Sequence, residues 1–280
     1  MIMGFKAMDT SISWKKMVGL LFAASLVLTA APASARPPLL DAAFNSFLEH
    51  QGRWAYTETH SGVSADGTPT AETIIRVDPS QPYSQQRVPI KLSGKTPSEK
   101  QLKEWAERSE QESKRRQSEG PSAPLGSLGA EEFHLQIFGN LVVPELDRAT
   151  VLAEDDIAVT YDVPMHKVGD TVAKPFDVFQ LTARVNKEQR QFERVTIRQR
   201  VMVRVGGGKN SDGLTEIEFA SPDPRYPAVP VKSTSRSTNK PLFGKANTRG
   251  NNAVRTDLKH VTPYDERFGV KIGPMRTIQF

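Results

Sequence analysis

The sequence predicts an α+β fold built on one antiparallel sheet of about nine or ten strands, with an N-terminal helix and one long charged helix. Two observations predict it. Alternating runs at hairpin spacing fill the chain beyond residue 130, whereas helical periodicity occurs only near the start. The composition, 38% hydrophobic and 25% charged over 280 residues, is that of an ordinary soluble domain. It excludes a multi-spanning helical membrane protein, a collagen and a wholly disordered chain. The absence of cysteine excludes disulfides, thiolate metal sites, cysteine catalysis and an acylated lipoprotein cysteine.

Lys15 and Lys16 precede the uncharged run Met17 to Ala31, which is followed by Pro32 and Ala33-Ser34-Ala35. A cationic start, an apolar centre and an A-x-A site are the parts of a secretory signal peptide, with cleavage expected after Ala35. Fifteen residues span about 22 Å as a helix, short of the roughly 30 Å hydrocarbon core. Residues 1–35 are therefore read as a cleaved leader, 36–280 as a single α+β domain, and the compartment as the periplasm, with secretion beyond it as the alternative.

Leu40, Phe44, Phe47 and Leu48 form one stripe of a helix from Leu39 to His50, ended by Gly52. Arg53 to His60 alternates, with Trp54 and Tyr56 on one face. Asp66-Gly67 supplies a turn before a second strand, Glu72 to Asp78. Pro79, Pro82 and Pro89 leave the run through Leu92 as at best an edge strand. Thr96-Pro97-Ser98-Glu99 reads as a capping box opening a helix from Pro97 to about Gln117. Only Leu102, Trp105 and Ala106 offer it a docking surface. The remainder is supported by pairs such as Glu104–Arg108, Glu110–Lys114 and Glu112–Arg116, worth about 0.2–0.5 kcal/mol each. Residues 107–130 are expected to be a mobile charged helix end followed by a Gly/Pro linker.

Strands follow at Ala149 to Leu152 and Ile157 to Tyr161, around a Glu154-Asp155-Asp156 turn, and at Phe176 to Val185. Phe192 to Val205 is the strongest strand signal, and Gly206-Gly207-Gly208-Lys209 after it reads as a hairpin loop: Val203 and Asn210 stand where a phosphate-binding loop needs Gly and Ser/Thr. Leu214 to Phe219, Val229 to Thr234, Ala253 to Val261 and Val270 to Phe280 complete the set, with a capped turn at Thr262-Pro263-Tyr264-Asp265. Arg194, Arg198, Arg200 and Arg204 share the polar parity of the strongest run, a solvated face or one for contact with an anionic surface. From Ser221 to Phe280 there are 11 Lys/Arg against 4 Asp/Glu, which fits anionic partners as well as solvated strand faces.

Catalytic signatures are missing. His50, His60, His134, His166 and His260 lack metal-ligand spacing, and there is neither an H-E-x-x-H nor a G-x-S-x-G. Glu131-Glu132 and Asp155-Asp156 read as turn solvation. No metal or cofactor is expected, and no nucleic-acid partner.

The order of leader, amphipathic helix, Trp/Tyr-bearing strand, long hairpin and antiparallel strands resembles the periplasmic half-barrel proteins of the LolA-like and RseB-type families. That resemblance implies an open half-barrel wrapping a helix, with a concave apolar cavity for acyl chains. The run Asp78-Pro79-Ser80-Gln81-Pro82, with Gly94-Lys95-Thr96-Pro97-Ser98 and Leu102, is also similar to a group of uncharacterised exported bacterial proteins, a likeness that implies no activity. The expected function is that of a periplasmic, non-catalytic protein binding or sensing an apolar or lipid-like ligand or an envelope protein. Strand parity selects Trp54, Tyr56, Ile75, Val77, Phe179 and Leu181 as the lining. The alternatives are an envelope hydrolase without a recognisable motif and an outer-membrane β-barrel, the latter suggested by Ile278 and the terminal Phe280. The sequence sets no oligomeric state.

Overall fold

The computed structural model describes residues 36–64, 68–118, 134–137, 140–167, 177–205, 208–241, 246–269 and 277–279, all within the unit Arg36–Phe280. The leader, the Asp66-Gly67 turn, the linker from 119 on, Glu131-Glu132, Gly206-Gly207, Val270 and Phe280 lie outside the described residues. No helix among the described residues is long and apolar enough to cross a membrane.

Helix α1 spans Pro38–His50. Pro38 sits at its first position, where a missing N–H costs nothing, and Asp41 in its first turn complements the helix dipole. Its stripe faces inward as expected. Leu40 is 1% exposed and Phe47 7%, each worth about 1.5–3 kcal/mol of apolar burial. Phe44 and Leu48 pack against the same core.

The strands are β1 Trp54–Val63, β2 Thr73–Val77, β3 Arg87–Lys91, β4 His134–Ile137, β5 Asn140–Pro144, β6 Thr150–Glu154, β7 Ala158–Val163 and β8 Met165–Lys167. They continue as β9 Phe179–Asn186, β10 Phe192–Gln199, β11 Val203–Val205, β12 Gly208–Ala220, β13 Val229–Pro241, β14 Asn247–His260 and β15 Thr277–Gln279. The large sheet runs β3-β2-β1-β14-β13-β12-β10-β9-β7-β6, with β11 added onto β12. All its pairs are antiparallel. Its two ends, β3 and β6, do not pair with each other among the described residues, so the sheet is an open half-barrel and not a closed one. The N-terminal helix packs on β9 and β10. This is the α+β architecture the sequence predicts.

Three features differ from the expectation. The run Phe192 to Val205 is two strands, because Arg200, Val201 and Met202 leave the ladder. The hairpin expected at Gly206 to Lys209 is present as the β11–β12 pair, closing at Val205 and Gly208. Strands β13 and β14 are far longer than their apolar runs, since Ser, Thr, Asn and Lys extend both ladders. A second sheet, β15-β4-β5-β8, stands apart, with β15 parallel to β4; its Val142 and Met165 join the common core.

Helix α2, Glu99–Ser118, begins two residues later than predicted. The capping box is Ser98 with Gln101: the Gln101 N–H donates to Ser98 Oγ at 3.3 Å, and the Ser98 N–H to Gln101 Oε1 at 2.9 Å. Thr96-x-x-Glu99 and Ser98-x-x-Gln101 both fit the pattern. The box at Ser98 leaves Pro97 outside the helix, where the restriction proline places on Thr96 is harmless. Trp105 docks the helix by donating from Nε1 to the Arg87 carbonyl at 2.9 Å, with Arg108 over its ring at 5.4 Å.

Candidate functional site

Between α1 and the large sheet lies a cavity of about 320 Å³. Leu40, Phe44 and Phe47 line it from the helix. Leu181, Ala183, Phe192, Val195, Ile217 and Phe219 line it from β9, β10 and β12. Phe47 meets Phe192 and Phe219 edge-on, with ring centroids 6.1 and 5.6 Å apart, an arrangement that holds the three rings in place. A well-packed interior has few voids larger than a water; this space is at the lower end of small-ligand sites.

Two bulges shape the wall. On β14, Asp257 and Leu258 together oppose Tyr56, since Ala55 pairs with Lys259 but Thr57 with Thr256; Asp257 takes the left-handed backbone this requires, φ 53°. The extra residue reverses the parity of the strand, so that Arg255 and Leu258 both reach the cavity. On β10 the slip lies between Phe192 and Arg194, and it brings Phe192 and Val195 to the same side in the same way.

One wall is polar. Glu58, 7% exposed, accepts a hydrogen bond from Arg255 Nε at Oε2, 2.9 Å away, and lies 2.5 Å from His60 Nε2 at Oε1. Arg255 also reaches the Pro230 carbonyl at 3.4 Å and covers the Tyr56 ring at 4.5 Å. Burial alone would raise the Glu58 pKa, but the charge and hydrogen bond of Arg255, with His60 and Arg87, outweigh it and hold the carboxyl below its ordinary range. Burial pushes the Tyr56 phenol up against the opposing charge of Arg255, so it stays protonated at neutral pH.

A second cluster sits where α1 meets the ends of β1 and β14. Tyr226 stacks on His260 with centroids 3.6 Å apart, and Trp54 and His50 lie 5.3 and 5.7 Å from the same imidazole. Trp54 Nε1, His50 Nδ1 and His260 Nε2 are buried without a hydrogen-bond partner among the described residues. Burial, with His50 and Arg53 nearby, lowers the His260 pKa.

Of the lining residues chosen by parity, Trp54, Tyr56 and Leu181 line the cavity. Ile75 and Val77 are buried on the same face, opposite Glu58 and Tyr56 but one strand further toward the edge. Phe179 is buried in the core beside them in parity, opposite Gln199. Arg194, Arg198 and Arg200 are exposed, and Arg200 contacts Asp162 at 3.4 Å; Arg204 is in β11, and its side chain is outside the described ones. The acid pair Asp155-Asp156 stands at the β6–β7 turn, where the Asp155 carboxylate accepts from the Ile157 and Ala158 N–H groups at 2.9 and 2.8 Å. Sequence reasoning missed Glu58, His60 and Arg255. The first two were findable, because they continue the period-two face of Trp54 and Tyr56. Arg255 carried no local signal.

Neither a family model nor a curated protein matches this chain. Among solved structures, it is similar to a LolA superfamily protein from Nitrosomonas europaea at 9% identity, with 85% of this chain and 98% of that one covered and a TM-score of 0.34.

Proposed function

We propose that this chain is an exported, non-catalytic envelope protein that holds an apolar or lipid-like ligand between α1 and the half-barrel. The observation that supports the reading is the aromatic-lined cavity of about 320 Å³ under a helix that could have closed on the sheet. Folding ordinarily eliminates such space, because each unfilled volume forfeits packing contacts. Residues 1–35, read as a cleaved leader, support export beyond the inner membrane, into a compartment bounded by lipid. The cavity volume suits a single acyl chain better than a multiply acylated lipid.

The test is a titration of purified, delipidated protein with the uncharged fluorophore N-phenyl-1-naphthylamine. Saturable enhancement at micromolar concentration is expected, competed by added acyl chains. No saturable binding in that range overturns the reading.

A further inference from the structure

The polar wall specifies what the head of such a ligand must be. Both oxygens of Glu58 are taken, one by Arg255 Nε and the other by His60 Nε2. The carboxylate therefore turns its negative charge sideways along the sheet and orients the guanidinium. Arg255 has five N–H donors; Nε is committed to Glu58 and one terminal nitrogen to the Pro230 carbonyl. Arg255 lines the cavity, and about a third of its side chain is accessible. Arg87, exposed on β3 and outside the lining, adds positive potential felt by Glu58 and Tyr56. In the cavity wall, then, the carboxylate has both oxygens engaged while the guanidinium keeps donors to spare, beside a lining that is mainly apolar. A part-buried guanidinium with unspent donors, next to an apolar chamber, is complementary to an amphiphile whose head carries negative charge and only acceptors.

Building on the reading above, we infer that the site takes a single-chain amphiphile with an anionic head, a carboxylate or a phosphate ester. The head rests on the Arg255 guanidinium, and the chain lies among Phe44, Phe47, Phe192 and Phe219. Glu58 and His60 are positioning residues: they hold the guanidinium in register and do not touch the chain. The pair-wise geometry explains why the wall tolerates a buried carboxylate, since Arg255 neutralises Glu58 and still presents donors that Glu58 does not use.

The experiment is a head-group series of constant chain length, displacing N-phenyl-1-naphthylamine from the purified protein: dodecanoate, dodecyl phosphate, dodecan-1-ol and dodecyltrimethylammonium. The anions are expected to bind at least about tenfold more tightly than the alcohol, as charge-assisted hydrogen bonds to a part-buried guanidinium require, and the cation more weakly than the alcohol. A preference between carboxylate and phosphate identifies which source of the anionic head the site favours. Equal displacement by all four overturns this inference while leaving apolar binding intact; absence of probe binding overturns the earlier reading instead. The double variant Glu58→Met with Arg255→Met, which removes the charges together, should keep the alcohol affinity and lose the anion preference. A double variant that retains the preference overturns the role of Arg255, and the series on the unaltered protein decides the matter if that variant fails to fold.

Discussion

Glu58 and Arg255 are 197 residues apart in the chain and directly opposite each other across the β1–β14 pair, with 2.9 Å between Arg255 Nε and Glu58 Oε2. The contact joins the first strand to the last long one, so it both closes the middle of the sheet and sets the charge of the cavity. Removing one partner and removing both should differ sharply. Arg255→Ala strands a nearly buried carboxylate and should cost about 2–4 kcal/mol, discounted from the fully buried case because the guanidinium is part-exposed. Replacing both residues with methionine should recover most of that loss. Urea midpoints of the two variants check it.

Two groups at the cavity and its neighbouring cluster contribute to the acid limb of the stability curve. His260 has its pKa lowered from 6.5 by burial, with His50 and Arg53 adding to it, so below about pH 6.5 the unfolded chain binds more protons than the folded one. Stability contributed by the neutral ring is complete above that pH and drains away as pH falls through the folded pKa. Glu58, also lowered, loses its contribution further down, below its reference value of 4.5. The urea midpoint should therefore fall in two stages on acidification. His260→Phe, which keeps a ring against Tyr226, should flatten the upper stage and leave the lower one. A single stage unaffected by the substitution would sink the assignment.

Capping gives a narrower test. Ser98→Ala removes the acceptor of the Gln101 N–H and should cost α2 about 1 kcal/mol, read as faster hydrogen exchange at Gln101 and its neighbours. Thr96→Ala should leave the same amides unchanged.

Those two positions also show what the sequence could and could not reveal. Element type was legible wherever apolar period and turn chemistry agreed, as in the Leu40–Phe47 stripe and the β6–β7 turn at Asp155. It faded where both signals were weak: β13 and β14 extend through Ser, Thr, Asn and Lys, which carry no alternation, and are held in the sheet by their neighbours' ladders. Overlapping cap patterns at Thr96 and Ser98 left the helix start ambiguous by two residues. Parity picked Trp54, Tyr56 and Leu181 among the lining residues but not Phe44, Phe47, Phe192 or Phe219, and parity counted through a bulge would misassign faces beyond Asp257 and Glu193. Arg255 is invisible for another reason. Its role depends on Glu58, and only the pairing of distant strands makes them neighbours.

Trp105 anchors α2 to β3 through one hydrogen bond to the Arg87 carbonyl, and Arg108 of the same helix covers its ring. Trp105→Ala should free the helix from β3 and from the turn at Tyr83–Gln85 without disturbing the core. Hydrogen exchange should accelerate over residues 99–111 while the amides of β9 keep their protection. Equal loss of protection in β9 would show that the helix is part of the cooperative core.

Filling the cavity separates its ligand role from its structural one. Ala253 lies on β14 between Asn251 and Arg255 and lines the space beside the aromatic residues of α1 and β12. Ala253→Leu adds three methylene-sized groups pointing into volume that is otherwise unoccupied by side chains. In a close-packed interior such an addition costs about 1–3 kcal/mol through forced rotamers. Here the space is already present, so the added apolar contact should leave thermal stability unchanged or slightly raised. Ligand affinity should fall by about tenfold or more, because the chain loses the room it needs. The paired measurement is the thermal midpoint with the N-phenyl-1-naphthylamine titration on the same preparation. A variant that is destabilised by more than about 1 kcal/mol would mean the chamber closes in solution. One that is stable and still binds the probe at full affinity would mean the probe sits elsewhere.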